Sequence, residues 1–334
     1  MQVNGHTQIE GVGAYIPPTV VSSDLLLEEA KSEKFGVPKN FISSKVGIEE
    51  RRFCSDEEKP SDLAIQAAEV ALRESGIAPE HIGLVIFCGI ERDCCEPATA
   101  HRVQNALNIN ATCFDVANAC HGFMNGISIA DSMIAVGAID FALIVTGEKG
   151  SNVTKSTMKK LQGCNNSTDF RRWIGALTVG DAGGAVILGR KNGKRAGFKK
   201  FRFYTDSSFN ELCYYYYRTD GMIEGQMLMR PISNAILKLH SSLINETYRS
   251  LNWKPKDVSK LVSHQVGWKP HLQLSEAARV PIERTTTTVT RFGNLTSATI
   301  PVNLFLNKPE KNEKVLLMGT GSGLSICQAG LVWG

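Results

Sequence analysis

Cys120 lies in "FDVANACHGFMNG", residues 114–126, where a polar-ended strand gives way to an apolar helix. Thiol chemistry needs the thiolate, and the first turn of a helix favours one, because unpaired backbone N–H groups and the positive end of the macrodipole gather there. Gly122 and Gly126 leave room for a substrate to approach, while Phe123, Met124, Ile127, Ala130 and Ile134 anchor the helix in a core. A cysteine on its own is more often a small buried hydrophobe than a nucleophile. Further residues supply what a nucleophile lacks. "LVSHQVGW" ends a buried apolar strand on His264, where an imidazole can project beyond the sheet edge and accept a proton. "RFGNLTSATIPVNL" sets Asn294 after a glycine at a helix start, where its carboxamide can cap the helix or donate to a reacting oxygen. Together they form a nucleophile, a base and an amide donor, a set suited to covalent acyl transfer.

The elements that must position these residues occur twice. "SDLAIQAAEVALRESGIAPEHIGLVIFCG" reads as amphipathic helix, proline turn and buried strand, and "ISNAILKLHSSLINETYRSLNWKPKDVSKLVSHQ" repeats that order with Pro255 in place of Pro79. Cys120 then opens a helix, Gly122 to Ala135, followed by the strand "FALIVTGE"; Asn294 opens "NLTSATIPVNLFL", followed by "KVLLMGTGSG". Each half closes on a glycine-rich turn and a strand, "GDAGGAVILG" and "GSGLSICQAGLVWG". Strands alternating with helices predict βαβ units and mostly parallel sheets. The duplication predicts two packed α/β halves related by a pseudo-twofold axis: residues 1–192 carrying Cys120, and residues 193–334 carrying His264 and Asn294. Cys120 and Asn294 then face each other across that axis.

Composition removes several alternatives. With 334 residues, 43 % hydrophobic and 21 % charged, the chain can bury a full core. No run reaches the roughly 20 apolar residues of a membrane span, and "MQVNGHTQIEGVGAYIPPTV" lacks the basic start and apolar block of a signal peptide. A cytoplasmic location is expected, where thiols stay reduced. The 9 cysteines are scattered and make no paired CxxC arms, so no metal is expected. "GRKNGKRAGFKKFRF", residues 189–203, concentrates basic charge without aromatics spaced for base stacking, which argues against nucleic acid. It reads as a solvated linker, or as a dock for an acidic carrier protein or a CoA phosphate. "GDAGGA" and "GTGSG" read as tight turns, not as a nucleotide loop.

The pattern "DVANACHGF…SHQ…FGNLTSATIP…GSGLS" resembles the thiolase-fold condensing enzymes, and among them β-ketoacyl-ACP synthase III, from "IEGVGAYIPPTVV" nearly to the end of the chain. The resemblance implies a five-layered αβαβα fold, a homodimer, a Cys-His-Asn triad at Cys120, His264 and Asn294, and acyl-CoA or acyl-ACP thioesters as substrates with no cofactor. It also implies an oxyanion hole made by the backbone N–H groups of Cys120 and Ser322. The usual "HQAN" is replaced by "HQVG", with Val266 and Gly267. "ERDCCEPATAHRV" is similar instead to enzymes that join two fatty acyl-CoA molecules head to head, and to pyrone-forming ketosynthases. In those relatives the glutamate of "EP", here Glu96, reaches into the active site of the partner subunit and acts as base.

The activity so implied is a Claisen condensation of two acyl thioesters in fatty acid-derived or polyketide biosynthesis. Cys120 is acylated first, and a carboxylate then removes an α-proton from the second thioester, giving a β-keto product or a pyrone. A decarboxylating synthase III using malonyl-ACP, or acyl transfer to an alcohol or amine, is the alternative. A non-catalytic partner subunit is a third reading, opposed by the presence of Cys120, His264 and Asn294 together. Met-rich "GMIEGQMLMRP" and residues 156–173 are candidates for an acyl tunnel or for core packing.

Overall fold

Two five-stranded sheets form the frame of the computed structural model, which describes residues 1–191, 193 and 195–334. The first sheet runs Thr7–Tyr15, Asp181–Arg190, Phe141–Lys149, Ile82–Phe87, Thr112–Asp115. The second runs Gln2–Asn4, Gly197–Thr205, Ser325–Val332, Lys314–Gly321, Lys260–Ser263. From Thr7–Tyr15 to Ile82–Phe87, neighbouring strands pair antiparallel, antiparallel, parallel. From Gly197–Thr205 to Lys260–Ser263 the same series recurs. The division expected after residue 192 falls on Asn192, outside the described residues. Gln2–Asn4, from the beginning of the chain, pairs with Gly197–Thr205 and so completes the second sheet.

The sheets are not mostly parallel: of 8 strand pairings, 3 are parallel. In each half the closing strand lies antiparallel beside the strand before it, Asp181–Arg190 against Phe141–Lys149 and Ser325–Val332 against Lys314–Gly321. Crossover helices therefore account for only part of each sheet.

Side chains alternate along the buried strands. Ala142 and Ile144 face a central core shared by both sheets, whereas Leu143 and Val145 face an outer one. The helices Gly122–Ala135 and Thr299–Leu306 fill the central core, through Phe123, Ile127, Ile300 and Leu304. Pro60–Ser75 and Thr99–Ala106 cover the outer face of the first sheet. Met229–Leu251 and Trp268–Ala278 cover that of the second. The layers are αβαβα, and each central helix begins near one end of a sheet.

Glycines in the first sheet serve close approach. An added Cβ at Gly147 would lie 1.7 Å from the Pro60 carbonyl oxygen, at Gly183 1.9 Å from that of Leu63, and at Gly13 2.0 Å from that of Ala67. The helix Pro60–Ser75 thus rests its backbone on the sheet. "GDAGGA" is accordingly not a tight turn: most of it lies in the buried strand Asp181–Arg190. In "GTGSG", Gly319 and Gly321 belong to a strand, and only Gly323, with φ 75°, makes the turn. Gly147→Ala is expected to destabilise the protein by about 3 kcal/mol or more, since neither backbone can retreat. A chemical denaturation midpoint, compared with wild type, measures this.

The basic stretch is not a solvated linker throughout. Gly197–Thr205 is an interior strand with Phe198 and Phe201 fully buried, and Lys191 Nζ donates to the Gly5 carbonyl at 2.6 Å. Lys194, in the same stretch, lies outside the described residues. Among the described residues no helix is long and apolar enough to cross a membrane.

Candidate active site

A cavity of about 1060 Å³ is lined by Cys120, His264, Asn294 and Ser322. Glu96 does not line it; it is exposed on the loop before the helix Thr99–Ala106. Nor do Gly122 and Gly126: both are buried, and the room they leave is taken by Cys88, not by a substrate.

Cys120 sits at a sharp elbow. His121 N–H donates to the Asn118 carbonyl at 3.0 Å, Gly122 N–H to that of Ala119 at 3.0 Å, and the helix begins at Gly122. Ala119, with φ 46°, adopts the left-handed conformation that an alanine ordinarily avoids. The elbow leaves Cys120 half-buried at the wall of the cavity. Burial pushes its thiol well above the ordinary value, and Glu148 and Cys213 act in the same direction. Only a hydrogen bond with its own backbone opposes them. The expectation of a thiolate held by the helix start is therefore reversed for the free protein. Loss of water outweighs the partial charges of the first turn, so the sulfur rests protonated and needs a base.

His264 follows the strand Lys260–Ser263, its N–H donating to the Met318 carbonyl at 2.9 Å. Its side chain is buried, and its Nδ1 has no hydrogen-bond partner. Burial lowers its pKa to about 4, against a backbone hydrogen bond with Thr296 that raises it. The imidazole is neutral at pH 7 and can accept a proton.

Asn294 is pinned to the first half of the chain. Its N–H donates to the Thr178 carbonyl at 2.9 Å, and its carbonyl accepts from Gly180 N–H at 3.1 Å. Its side-chain Oδ1 accepts from the Thr296 N–H at 2.9 Å. That bond fixes the carboxamide and leaves its NH₂ to donate. Ser322 forms the tip between Gly321 and Gly323. Ala119, Thr296 (φ 51°) and Leu324 (φ 60°) flank these positions in left-handed backbone that none of their side chains favours. Such strain collects where function dictates geometry.

Sequence reasoning missed two carboxylates of this cavity, Glu91 and Glu148. Glu148 ends an apolar strand and is 2 % exposed. It accepts from the Ser297 hydroxyl, from Ser297 N–H at 3.3 Å and from Ile90 N–H at 3.2 Å. Burial raises its pKa to about 7 despite those bonds. Glu91 is 8 % exposed; its Oε2 accepts from Asn152 Nδ2 at 2.8 Å. Its signal was the charge that follows the apolar run "LVIFCGI".

The hairpin of Cys213–Tyr217 and Ile223–Met227 also lines the cavity, with Tyr215 presenting a buried hydroxyl that has no partner. Met227 and Met229 line it as well, whereas Met158, Leu161 and Phe170 of the second proposed tunnel segment pack in a separate core. His121 is buried outside the cavity, its ring edge-on to Phe203 at 5.8 Å. His271 is held between Ser263 and Thr285 at 3.1 and 3.0 Å, a structural role. Among the described residues no group of His, Cys, Asp and Glu could hold a metal ion.

A duplicated αβαβα sandwich with a cysteine elbow, a histidine and an asparagine around one cavity defines a thiolase-fold condensing enzyme. The family profile described as 3-oxoacyl-[acyl-carrier-protein (ACP)] synthase III matches residues 114–207, and its C-terminal counterpart matches residues 249–333. The acyl-CoA:acyl-CoA alkyltransferase of Xanthomonas campestris is 29 % identical over 340 residues, covering 98 % of this chain and 99 % of that protein. A β-ketoacyl-[acyl-carrier-protein] synthase III from Rickettsia bellii is 28 % identical over 342 residues, covering 98 % and 99 %. Among solved structures, a cysteine-to-serine variant of Xanthomonas campestris OleA with bound lauric acid and lauroyl-CoA matches with a TM-score of 0.90. The identity there is 26 %, over 99 % of this chain and 100 % of that one. The chain belongs to the β-ketoacyl-ACP synthase III family, and it is an acyltransferase of the ketosynthase type.

Proposed function

We propose that this enzyme condenses two acyl thioesters head to head, acylating Cys120 with the first and using the second as carbon nucleophile. The observation that carries this reading is the presence of desolvated carboxylates in the cavity of Cys120, His264 and Asn294. A decarboxylating synthase obtains its carbanion by losing CO₂ and has no use for a strong base. Removing an α-proton does require one, and a carboxylate taken out of water is a stronger base. The Xanthomonas relative is named for acyl-CoA on both sides of the reaction, and CoA thioesters are the substrates proposed here.

In the first step the Cys120 proton passes to neutral His264 and the sulfur attacks the thioester carbonyl. The developing oxyanion meets the backbone N–H groups of Cys120 and Ser322, each worth about 3 kcal/mol in comparable sites. The thiol of CoA leaves with the proton held by His264. In the second step the Asn294 NH₂ and His264 hold the enolate oxygen of the incoming thioester. The enzyme works as a homodimer, and the family resemblance supplies one carboxylate for the α-proton in Glu96 of the partner subunit. The test is incubation with a long-chain acyl-CoA and no other thioester. Free CoA and a β-keto acid, ketone or pyrone are the expected products. Turnover that requires a malonyl thioester would sink this reading.

A further inference from the structure

We propose that the Thr320 hydroxyl is a further donor in the active site, hydrogen-bonding the carbonyl oxygen of the second thioester as that oxygen becomes an enolate. The assignment rests on the two-thioester reading above and adds a residue to it. Along Lys314–Gly321, Leu316 and Met318 face the outer core of the second sheet, and Thr320 follows on the same face. Behind it stand His240 and Thr247 of the helix Met229–Leu251 and Gln328 of the neighbouring strand. All four are at most 2 % exposed. A line of polar groups in an apolar core is costly unless each is paired. Its polarity is fixed from one end. The His240 backbone carbonyl can only accept, so the Gln328 side-chain atom 2.9 Å from it is the amide nitrogen. That nitrogen also lies 3.2 Å from His240 Nδ1, which therefore accepts, while Gln328 Oε1 accepts from the Thr247 hydroxyl at 2.5 Å. The imidazole carries its hydrogen on Nε2 and donates it to Thr320 Oγ1 at 2.9 Å. The Thr320 hydroxyl is left with a hydrogen that His240 cannot take, and among the described residues it has no other partner.

That hydrogen is placed where a substrate oxygen can meet it. Thr320 lines the cavity and is as buried there as Asn294. It shares a smaller adjoining cavity with His264. The next residue, Gly321, lies against the Cys120 elbow: an added Cβ would be 2.9 Å from both the Asn118 carbonyl oxygen and the His121 amide nitrogen. The acyl oxygen carried on Cys120 already has the N–H groups of Cys120 and Ser322. The oxygen on the His264 side belongs to the second thioester, and a hydroxyl held there as a donor stabilises the charge that develops on it. No proton is transferred. Burial lowers the pKa of His240 to about 3, so the neutral ring that orients Thr320 persists across the working range.

The experiment compares wild type with Thr320→Val, which keeps the shape and removes the hydroxyl, and with Thr320→Ser, which restores it. The acyl adduct on Cys120 is followed by intact mass, and condensation by the kcat and KM of product formation from acyl-CoA alone. Thr320→Val should acylate Cys120 within about threefold of wild type, which also reports a folded pocket. Its kcat for condensation should fall by about 10- to 100-fold with KM little changed, because the bond strengthens as the enolate forms. Thr320→Ser should recover most of that loss. Condensation by Thr320→Val at the wild-type rate overturns the proposal, as does an equal loss of acylation and condensation, the mark of a packing role. A Thr320→Ser enzyme no faster than Thr320→Val overturns it too, since the hydroxyl would then be irrelevant. In each of these cases the two-thioester reading stands as long as wild type condenses acyl-CoA alone. Wild type that turns over only with a malonyl thioester sinks that reading, and this assignment with it.

Discussion

Cys120→Ala should abolish the acyl-enzyme and lower turnover by about four orders of magnitude or more. The sulfur is the only protein atom of the proposed mechanism that carries a substrate covalently: it takes the first acyl group and releases it when the α-carbon of the second thioester bonds to the acyl carbonyl. Cys213 gives the expectation its edge. It lines the same cavity and lies close enough to raise the Cys120 thiol, so an acyl-CoA held there has a second sulfur within reach. Burial pushes the Cys213 thiol to about 11, and a hydrogen bond with the Ser322 side chain only partly opposes this. It also begins a hairpin strand, without the elbow and helix start that present Cys120. Mass spectrometry of proteolysed enzyme after acyl-CoA treatment should locate the adduct on the peptide containing Cys120 in wild type. In Cys120→Ala no cysteine should carry one. An adduct of similar yield on Cys213 would show that the nucleophile is misassigned.

The contrast between those two cysteines marks how far the sequence could be read. The duplicated order of helix, proline turn and strand was visible because apolar periodicity survives in both halves. The structure reproduces it down to the 3₁₀ turns Pro79–His81 and Pro255–Asp257 that lead into equivalent strands. Strand direction was not visible, because an apolar run such as "AVILG" is the same for parallel and antiparallel neighbours buried on both faces. The glycines of "GDAGGA" were misread for a related reason. A turn and a close helix contact both demand glycine, and only the packing of Pro60–Ser75 tells them apart. Around the site, Cys120, His264 and Asn294 stood out by their element-end positions. The charge state of Cys120 did not, since it depends on the water excluded by the hairpin Cys213–Tyr217 and Ile223–Met227 and by other walls distant in sequence. Glu91 and Glu148 were hidden in the same way: a carboxylate near a strand end is ordinary until burial and the count of its donors are known.

His264→Ala should slow acylation of Cys120 by about 10²–10⁴-fold, the usual span for removing a general base. The size follows from the resting state of the sulfur. Were Cys120 already a thiolate, the imidazole would matter mainly for the oxyanion and the enolate, and acylation would survive its loss. With the thiol pushed well above its ordinary value, the proton must leave before or during attack. His264 is free to take it because it is neutral: burial lowers its pKa to about 4, which weakens the imidazole as a base but leaves it unprotonated at neutral pH. Its neighbours do not compete by holding charge, since His121 is lowered to about 4 and His240 to about 3 by the same cause. The sign of the pH dependence separates the two cases. In wild type the neutral imidazole is the active form, so acylation should be level from about pH 5 to 8 and fall as pH drops through about 4. In His264→Ala, hydroxide has to remove the thiol proton, so the residual rate should climb about tenfold per pH unit. Stopped-flow release of CoA over that range measures both. A residual rate that is level with pH would mean that Cys120 is ionised without help and that His264 acts only on oxygen.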